Sequence, residues 1–308
     1  MVTDEKIKVL LTGSNGFVGS EILRESKKSN LEVLPIYRNN LQNLNIDQNT
    51  DWKKFLKNID CIIHTAARAH ITKELSSDPI AEFRKVNLEG TVNLANQAAK
   101  AGVRRFIFIS TIKVNGEFNE IGSPMVEDAK SQPSDAYAHS KYEAEIELQS
   151  IAKRTNLEVV IIRPPLVYGP NVKANFESLI NLVKKRVPLP FRHSTNRRSF
   201  ISLTNLVDFI ILCIRNPSAK NEIFLISDDC DISIEDLVRN ISKYSKIKVI
   251  LFPIPIRILS ILLRNTKYYD YFNKLYGNLT ADISKAKKIL NWEPKISVNE
   301  GIKRIFDY

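Results

Sequence analysis

The segment Ile7-Lys-Val-Leu-Leu-Thr12, followed directly by Gly13-Ser-Asn-Gly16-Phe-Val-Gly19, decides the expected fold. A short apolar run of this kind is typical of a strand buried on both faces of a parallel sheet. Glycines at the end of such a strand allow a tight turn, and the helix that follows presents free amide donors to a phosphate. The segment therefore indicates a dinucleotide-binding loop. An ordinary turn is the alternative, because the spacing differs from the familiar Gly-x-Gly-x-x-Gly.

Apolar strands and helical segments alternate through the first half of the chain. We expect strands over residues 7–12, 32–37, 60–65, 105–110 and 158–163, and helices over residues 16–29, 79–101 and 137–155. This alternation predicts an α/β fold, a doubly wound parallel sheet of the Rossmann type with its ligand crevice at the carboxyl ends of the strands.

Beyond residue 170 the alternation becomes less regular. Helical patterns over residues 175–185 and 203–215 are interleaved with strand patterns over residues 223–226 and 248–252, and prolines interrupt the loops. We therefore expect a dinucleotide-binding domain over residues 1–170 and a smaller C-terminal substrate-binding lobe over residues 171–308. The lobe is expected to be partly woven back into the first domain.

The composition is that of a cytoplasmic globular protein. Of its 308 residues, 44% are hydrophobic and 26% are charged, which is enough for a full core. The beginning of the chain lacks an apolar signal region, and no run approaches the roughly 20 apolar residues of a membrane span. Three scattered cysteines indicate reduced thiols rather than disulfides, and the four histidines lack metal-ligand spacing, so no metal is expected.

The formal net charge of +11 has several interpretations. The basic residues are spread along the chain without a recognised binding module, so no nucleic-acid partner is expected. A basic pocket for a phosphorylated ligand and attraction to an anionic membrane surface are two explanations. A solvated lysine-rich surface, which needs no partner, is the third.

The segment Asp135-Ala-Tyr137-Ala-His-Ser-Lys141-Tyr carries the expected chemistry. Tyr and Lys four residues apart lie on the same face of a helix, one turn from each other. A phenol has an ordinary pKa of about 10, so it needs a neighbouring cation to act as acid or base near neutral pH. Such a pair alone is typical of a solvated helix face, but with a glycine loop upstream it indicates redox chemistry.

The residues after the second strand, Tyr37-Arg38-Asn39, bear on the choice of cofactor. An NAD site usually places Asp or Glu here to accept hydrogen bonds from the adenosine ribose. A guanidinium instead suits a 2′-phosphate and stacks on adenine, so Arg38 favours NADP(H), with NAD(H) as the alternative. A surface arginine without a ligand is the other interpretation of this residue.

With these elements in place, the chain resembles the extended short-chain dehydrogenase/reductase family, of the NAD-dependent epimerase/dehydratase type, over nearly its whole length. The motifs that carry the resemblance, in the order and spacing of the family, are the glycine loop, His64-Thr-Ala-Ala67, Val86-Asn87-x-x-Gly90-Thr91, Tyr137-x-x-x-Lys141, Arg163-Pro-Pro-x-Val-Tyr-Gly-Pro170 and Asp282-x-Ser-Lys285…Leu290-Asn-Trp292. Within the family the chain is similar to UDP-hexose 4-epimerases. It is most similar to bacterial 4-reductases of UDP-4-keto-6-deoxy-N-acetylglucosamine, which make UDP-N-acetylquinovosamine for surface polysaccharide such as O-antigen.

The resemblance implies roles for the matched residues. Tyr137 would exchange a proton with the C4 oxygen of the sugar, and Lys141 would lower the pKa of Tyr137 and hold the nicotinamide ribose. Thr111, or Ser110 beside it, would hydrogen-bond the same oxygen. Further implied cofactor contacts are Gly13, Asn15, Gly16, Phe17, Val18, Ala66, Ala67, Asn87 and Pro164.

The resemblance also implies a set of substrate contacts. Arg198, in Arg197-Arg-Ser-Phe-Ile201, would hold the UDP diphosphate through a bidentate guanidinium. Asn175 would contact the phosphates or the sugar, and Asp282 would lie near the uridine. Lys113, at a position where the chain departs from the family's dehydratases, is a further candidate for a substrate contact. Two of these residues have alternatives, because Lys113 also fits a solvent-facing loop lysine and Asp282 equally fits the N-cap of a helix near residue 284.

Three functions follow as expectations for a UDP-sugar enzyme. The main one is an NADP-dependent reductase of a UDP-4-keto-6-deoxy-hexosamine with Tyr137 as proton donor, because Arg38 suits an exchangeable NADP. The alternative is a UDP-hexose or UDP-N-acetylhexosamine 4-epimerase with tightly bound NAD, and a minor alternative is a non-catalytic dinucleotide-binding protein. A dehydratase is not expected, since Ile112-Lys113 stands where the family's 4,6-dehydratases have an Asp-Glu pair.

The resemblance further implies a homodimer, because the family commonly pairs through the two long helices of the first half. Apolar positions expected to form that contact, with core packing as the alternative, are Val92, Leu94, Ala95, Ala144, Leu148 and Ile151.

Overall fold

The computed structural model describes residues 6–37, 46–69, 78–266 and 269–307. The strands are β1 (Ile7–Thr12), β2 (Leu31–Ile36), β3 (Cys61–His64), β4 (Arg105–Ile109), β5 (Glu158–Arg163), β6 (Leu166–Tyr168), β7 (Leu189–Arg192), β8 (Phe200–Ser202), β9 (Ile223–Leu225) and β10 (Leu251–Pro253). The helices are α1 (Phe17–Ser26), α2 (Pro79–Arg84), α3 (Thr91–Lys100), α4 (Ala136–Arg154), α5 (Ala174–Lys184), α6 (Leu203–Arg215), α7 (Ile234–Ser245), α8 (Ile256–Leu263), α9 (Tyr269–Tyr276), α10 (Ser284–Leu290) and α11 (Val298–Phe306).

Six of these strands form the central sheet in the order β2-β1-β3-β4-β5-β9, and every neighbouring pair is parallel. The chain moves to one side of β1 to form β2 and then crosses to the other side to form β3. A crevice opens at such a switch point, outside the carboxyl ends of the two strands that flank it. The predicted doubly wound α/β fold is confirmed, and its crevice lies at the ends of β1 and β3.

Both faces of the sheet are covered by helices, which explains why its strands are continuous apolar runs. Val9 and Leu11 of β1 pack on one face, in a cluster that includes side chains of α1 and α6. Leu10 points to the other face, into a cluster with side chains of α3 and α4. The alternation follows from the two-residue period of a strand, and it fixes α4 against the sheet.

The helix predicted over residues 79–101 is interrupted. Its middle is a π-helical turn, Lys85–Gly90, between α2 and α3. The turn brings the backbone of Gly90 close to Ile46, and a Cβ at Gly90 would lie 2.8 Å from Ile46 Cγ2. Widened turns of this kind occur frequently at functional sites, and this one carries Asn87.

The second half of the chain returns to the sheet through β9, which pairs with β5. A separate cluster of buried apolar residues lies under α5, α7 and α11. Tyr168, from the Arg163–Pro170 motif, donates a hydrogen bond of 2.5 Å to Asp228 and is fully buried in this cluster. The division into domains at residue 170 remains a prediction.

Five of the six side chains proposed for a dimer contact are fully buried within one chain: Leu94, Ala95, Ala144, Leu148 and Ile151. They pack on the sheet in the same cluster as β4 and β5, so the interpretation of these positions as a dimer face is wrong. The homodimer itself remains a prediction. Among the described residues, no helix has the length and apolar character needed to cross a membrane.

Candidate active site

The glycine loop forms the turn between β1 and α1. Gly13 has a φ of +72°, a left-handed conformation that glycine adopts without strain, and a Cβ there would lie 2.6 Å from Thr65 Oγ1. Gly16 donates a backbone hydrogen bond of 2.8 Å to the Gly13 carbonyl, and a Cβ at Gly19 would lie only 2.2 Å from that same oxygen. The loop after β1 therefore packs directly against the loop after β3, at the switch point of the sheet.

The residues expected to contact a cofactor surround this turn. Asn15 and Gly16 are exposed, Phe17 and Val18 are partly buried in the first turn of α1, and that turn contains no acidic residue. Ala66 and Ala67 follow β3, and the Ala66 amide lies 3.4 Å from Thr12 Oγ1. The amino end of α1 thus faces the crevice edge without a negative side chain to oppose an anion.

Asn87 joins the loop after β3 to α4. Its side-chain oxygen accepts a hydrogen bond of 2.8 Å from the Arg68 amide, and its nitrogen donates to the Arg68 carbonyl at 3.1 Å. The same nitrogen donates to Ser140 Oγ at 3.0 Å, next to Lys141. Asn87 is buried, so these bonds fix the loop after β3 relative to the Tyr-Lys helix.

Tyr137 and Lys141 lie in the first turns of α4, which begins where the Asp135 carboxylate accepts a hydrogen bond of 2.7 Å from the Ala138 amide. Tyr137 is partly buried and contacts the Phe83 ring edge-on, with the ring centroids 6.2 Å apart. Lys141 is buried, and its Nζ lies 3.8 Å from the centroid of the Phe108 ring in β4. The helix cap and the sheet together hold both side chains at the crevice.

The protonation of this pair differs from the expectation. Burial, reinforced by the negative charge of Asp135, raises the pKa of Tyr137 to about 12. Burial also lowers the pKa of Lys141 to about 7, although the Glu145 carboxylate partly offsets this effect. In the chain alone, burial and the charge of Asp135 thus set the direction of the Tyr137 shift, and the lowering of its pKa by Lys141 remains a prediction.

The structure gives different surroundings to Ser110 and Thr111, the two hydroxyl residues between which the sequence did not decide. Ser110 is buried and donates its hydrogen bond to the Glu145 carboxylate. Thr111 lies in the turn after β4, where its Oγ1 accepts a hydrogen bond of 3.3 Å from the Lys113 amide. Since an accepting hydroxyl keeps its own proton for donation, Thr111 is the better candidate for a bond to substrate.

Lys113 pairs with the helix cap rather than pointing into solvent. Its Nζ donates to Asp135 Oδ2 at 2.6 Å and lies 3.8 Å from Glu117 Oε1. Burial alone would raise the pKa of Asp135, but the Lys113 ammonium and the Ala138 amide hold it below its usual value. Lys113 thus connects the Thr111 turn to the start of α4, and its predicted contact with substrate stays a prediction.

The two adjacent arginines of the second half point to different surroundings. Arg197 is exposed and lies 3.4 Å from the Asp236 carboxylate. Arg198 is partly buried, and its Nη1 donates to the Gly277 carbonyl at 3.1 Å. Burial lowers the pKa of Arg198 to about 10, with the negative charge of Glu117 opposing that shift. Glu117 also lies 3.8 Å from Lys113, so Arg198 shares this acidic neighbour with the Thr111 turn, and its contact with a diphosphate stays a prediction.

The remaining predicted residues have these positions. Asn175 is exposed in the first turn of α5, and Pro164 is buried and accepts a hydrogen bond of 2.9 Å from the Ile112 amide. Asp282 accepts a hydrogen bond of 2.7 Å from the Ser284 amide, but the N-cap residue of α10 is Ile283, so Asp282 precedes the cap position expected for it. Arg38 lies outside the described residues.

Sequence reasoning missed a buried ionic network behind the site. Glu145 and Arg163 are both buried and form a two-pronged ion pair, with Arg163 Nη2 2.6 Å from Glu145 Oε2. Arg163 also donates to Asn115 Oδ1 and to the Glu127 carbonyl, each at 3.1 Å. Glu145 follows Lys141 by four residues, so a helical repeat of Tyr, Lys and Glu was the available signal.

His64, the last residue of β3, contacts the end of β1 and the start of α3 through its two ring nitrogens. Its Nδ1 lies 2.7 Å from Thr12 Oγ1, and its Nε2 lies 3.0 Å from Thr91 Oγ1 in α3. Burial, together with the positive charge of Lys141, lowers the pKa of His64 to about 3. His64 is therefore a neutral structural residue at neutral pH, consistent with the expectation that it does not act in catalysis.

Comparison with known proteins places this site in a family. The sequence profile of the NAD dependent epimerase/dehydratase family matches residues 9–227. A Vibrio cholerae protein named UDP-glucose 4-epimerase is 42% identical over 306 residues, covering 96% of this chain and 93% of the relative.

Two solved structures share the fold across 98% of each chain. One is the UDP-glucose 4-epimerase of Thermotoga maritima with UDP-glucose, at 22% identity and a TM-score of 0.76. The other is the UDP-glucuronic acid 4-epimerase of Bacillus cereus in complex with NAD, at 24% identity and a TM-score of 0.76. The family resemblance inferred from the motifs is confirmed, while the similarity to the 4-reductases is not, and the chain belongs to the NAD-dependent epimerase/dehydratase family.

Proposed function

We propose that the protein is a UDP-sugar 4-epimerase, which inverts C4 of a UDP-hexose or UDP-N-acetylhexosamine with NAD as its cofactor. The observation that carries the proposal is the 42% identity, over 96% of the chain, with the Vibrio cholerae protein named UDP-glucose 4-epimerase. The 4-reductase favoured by the sequence motifs becomes the second candidate.

The residues around the glycine loop fit a dinucleotide. The turn at Gly13 packs against the loop after β3 at the switch point of the sheet, and the amino end of α1 offers amide donors with no acidic residue in its first turn. Lys141, buried at the ring of Phe108 with a pKa lowered by burial to about 7, is the amine available to a ribose hydroxyl. When bound, the nicotinamide group supplies a hydride acceptor and donor for the C4 carbon.

Side chains of the protein then remove the proton from the C4 oxygen and return it. Tyr137 takes the proton as C4 is oxidised and returns it as C4 is reduced, so one phenol serves both directions of the reaction. Because burial raises the pKa of Tyr137 to about 12, the phenolate needs a nearby positive charge, and Lys141 is one turn away. Thr111 donates its free hydroxyl proton to the same oxygen, which holds the sugar in register.

Arg198 is the proposed anchor for the substrate diphosphate. It is a partly desolvated cation whose charge is disfavoured by burial, so an anionic partner would restore what burial costs it. A planar guanidinium also matches the spacing of phosphate oxygens. Anchoring at the diphosphate leaves the sugar free to turn over between the two hydride steps, as epimerisation requires.

The second candidate, an NADP-dependent reductase of a UDP-4-keto-6-deoxy-hexosamine, is supported by Arg38 after β2 in place of an acidic residue. It would use the same Tyr137, Lys141 and Thr111. The two functions differ in substrate and cofactor, and also in cofactor turnover, because a reductase consumes its cofactor and an epimerase regenerates it.

One experiment separates the candidates. The purified chain is incubated with UDP-glucose or UDP-N-acetylglucosamine plus NAD, and separately with UDP-4-keto-6-deoxy-N-acetylglucosamine plus NADPH. The epimerase proposal expects conversion of the first substrates to their 4-epimers with no net change in NADH. Stoichiometric NADPH consumption with the keto-sugar, and no epimer of either UDP-sugar, would replace it by the reductase.

A further inference from the structure

The excess of positive over negative charge falls in two stretches that the proposed activity does not use. Residues 178–192 and 239–269 together contain 11 basic residues and no acidic one. The whole chain has 45 Lys and Arg against 34 Asp and Glu, so the rest of it, with 34 of each sign, is electrically neutral. The net charge of +11 is thus a local property rather than a uniformly lysine-rich surface.

The fold brings these two stretches together. Leu189 of β7 pairs with Leu251 of β10, and its amide donates a hydrogen bond of 2.9 Å to the Ile250 carbonyl. α8 begins three residues after β10 ends. The end of α5, the strand pair β7–β10 and the start of α8 therefore form one continuous region.

This region also exposes large apolar side chains. On α8, Ile258, Ile261 and Leu262 are 52%, 74% and 67% exposed, and their spacing of three and four residues puts them on one face of the helix. In globular proteins such a face normally packs on the core. Further exposed apolar residues beside α8 include Val187, Ile250 and Phe252. We call the six residues together the α8 surface.

Exposed basic side chains surround the α8 surface. Lys184, Lys185 and Arg186 precede Val187, Lys246 and Lys248 precede Ile250, and Arg264 follows α8. Two copies of so strongly basic a surface repel each other, which disfavours self-association through it. A partner that is negatively charged at its surface and apolar beneath it would match both the basic side chains and the exposed apolar side chains of this surface.

We propose that the α8 surface binds the interface of an anionic lipid bilayer. α8 has eight residues and is about 12 Å long, so it lies in the headgroup region with its apolar face inward instead of crossing the roughly 30 Å hydrocarbon core. Basic side chains beside an apolar face are the combination by which peripheral helices bind anionic lipids. The inference is independent of which sugar reaction the site performs.

The test measures binding of the full chain to vesicles by co-sedimentation. Vesicles of equal parts phosphatidylglycerol and phosphatidylcholine are compared with vesicles of phosphatidylcholine alone, at low and at high salt. The chain is expected to bind the anionic vesicles and to bind them less as salt screens the charges. Equal binding to both vesicle types, or no binding to either, overturns the proposal and directs attention to an acidic protein partner.

Matched variants locate the binding surface. The double variant Ile258→Ser/Ile261→Ser should lose on the order of 100-fold in vesicle affinity, since two apolar side chains no longer enter the interface. Lys184→Gln/Lys185→Gln should lose roughly 30-fold in vesicle affinity. The control for the isoleucine variant is Ile80→Ser/Ile121→Ser, at two isoleucines of similar exposure outside the α8 surface. The control for the lysine variant is Lys53→Gln/Lys54→Gln, at two adjacent exposed lysines. Both controls are expected to bind vesicles like the wild type.

Because all these side chains are exposed, the variants should unfold at the wild-type temperature, and that measurement accompanies each binding curve. Equal losses in a test variant and its control would overturn the assignment to the α8 surface. So would a wild-type dimer that the Ile258→Ser/Ile261→Ser variant abolishes, because that result makes a second copy the occupant.

Discussion

Replacing Arg198 by alanine tests the substrate anchor. Burial lowers the pKa of Arg198 to about 10 from an ordinary 12.5, which corresponds to roughly 3 kcal/mol of lost solvation of the cation. A diphosphate in contact would regain a free energy of that size. We therefore expect Arg198→Ala to weaken substrate binding by about 2–4 kcal/mol, a rise in KM of roughly 30- to 1,000-fold.

Arg197→Ala is the matched control for this prediction. Arg197 is half exposed and pairs with Asp236 at 3.4 Å, and exposed ion pairs contribute only about 0–1 kcal/mol. Its KM should therefore change by less than about fivefold. The assay is calorimetric titration of UDP alone, which does not depend on turnover, followed by steady-state kinetics with the UDP-sugar.

The two outcomes of the Arg198 experiment are distinct. The anchoring role predicts that kcat falls much less than UDP affinity, because Arg198 does not touch the reacting carbon. If Arg197→Ala is the more damaging substitution, the residue match is displaced by one position. Unchanged UDP affinity in Arg198→Ala would refute the reasoning from its desolvation.

Three further predictions follow from the site and its surroundings. Tyr137→Phe keeps the ring beside Phe83 but removes the exchangeable proton, so turnover should fall about 100-fold or more. NAD affinity, measured by fluorescence titration, should stay near the wild-type value. A variant that keeps most of its turnover would exclude Tyr137 from the chemistry. For the second candidate, the NADP-dependent reductase, Arg38→Ala should weaken NADPH by about 10- to 100-fold and leave NADH nearly unchanged, whereas equal losses would show that Arg38 does not select the cofactor. His64 has a pKa of about 3 in the folded chain against 6.5 in the unfolded chain, so below pH 6.5 the unfolded chain binds a proton that the folded chain does not. Lowering the pH from 6.5 to about 5 should therefore reduce the free energy of unfolding, measured in denaturant melts, by roughly 2 kcal/mol. The His64→Gln variant should lose that part of the pH dependence.

The sequence was sufficient for features that depend on local pattern. The apolar run of β1, the glycines after it and the Tyr137–Lys141 spacing each specify a conformation within a few residues, and the fold places them as expected. The strand over residues 158–163 and the helix over residues 203–215 have the predicted bounds for the same reason.

Features that depend on distant contacts were not predictable. The pairing of Glu145 with Arg163 joins α4 to β5, and nothing in either segment identifies its partner. The raised pKa of Tyr137 arises from burial and from Asp135, whereas the sequence alone suggested only the effect of Lys141. The burial of Leu94 and Leu148 against the sheet, instead of at a dimer contact, depends on how α3 and α4 pack.

The fate of a deuterium atom at C4 tests the central claim most directly. The chain is given UDP-[4-²H]glucose and NAD, and the 4-epimer is isolated and examined by mass spectrometry. An epimerase removes the hydride from C4 and returns the same one, so the account predicts that the product keeps its deuterium and that no NADH accumulates. A chain that forms no 4-epimer, but transfers deuterium from labelled NADPH to C4 of a UDP-4-keto-sugar, would contradict the account.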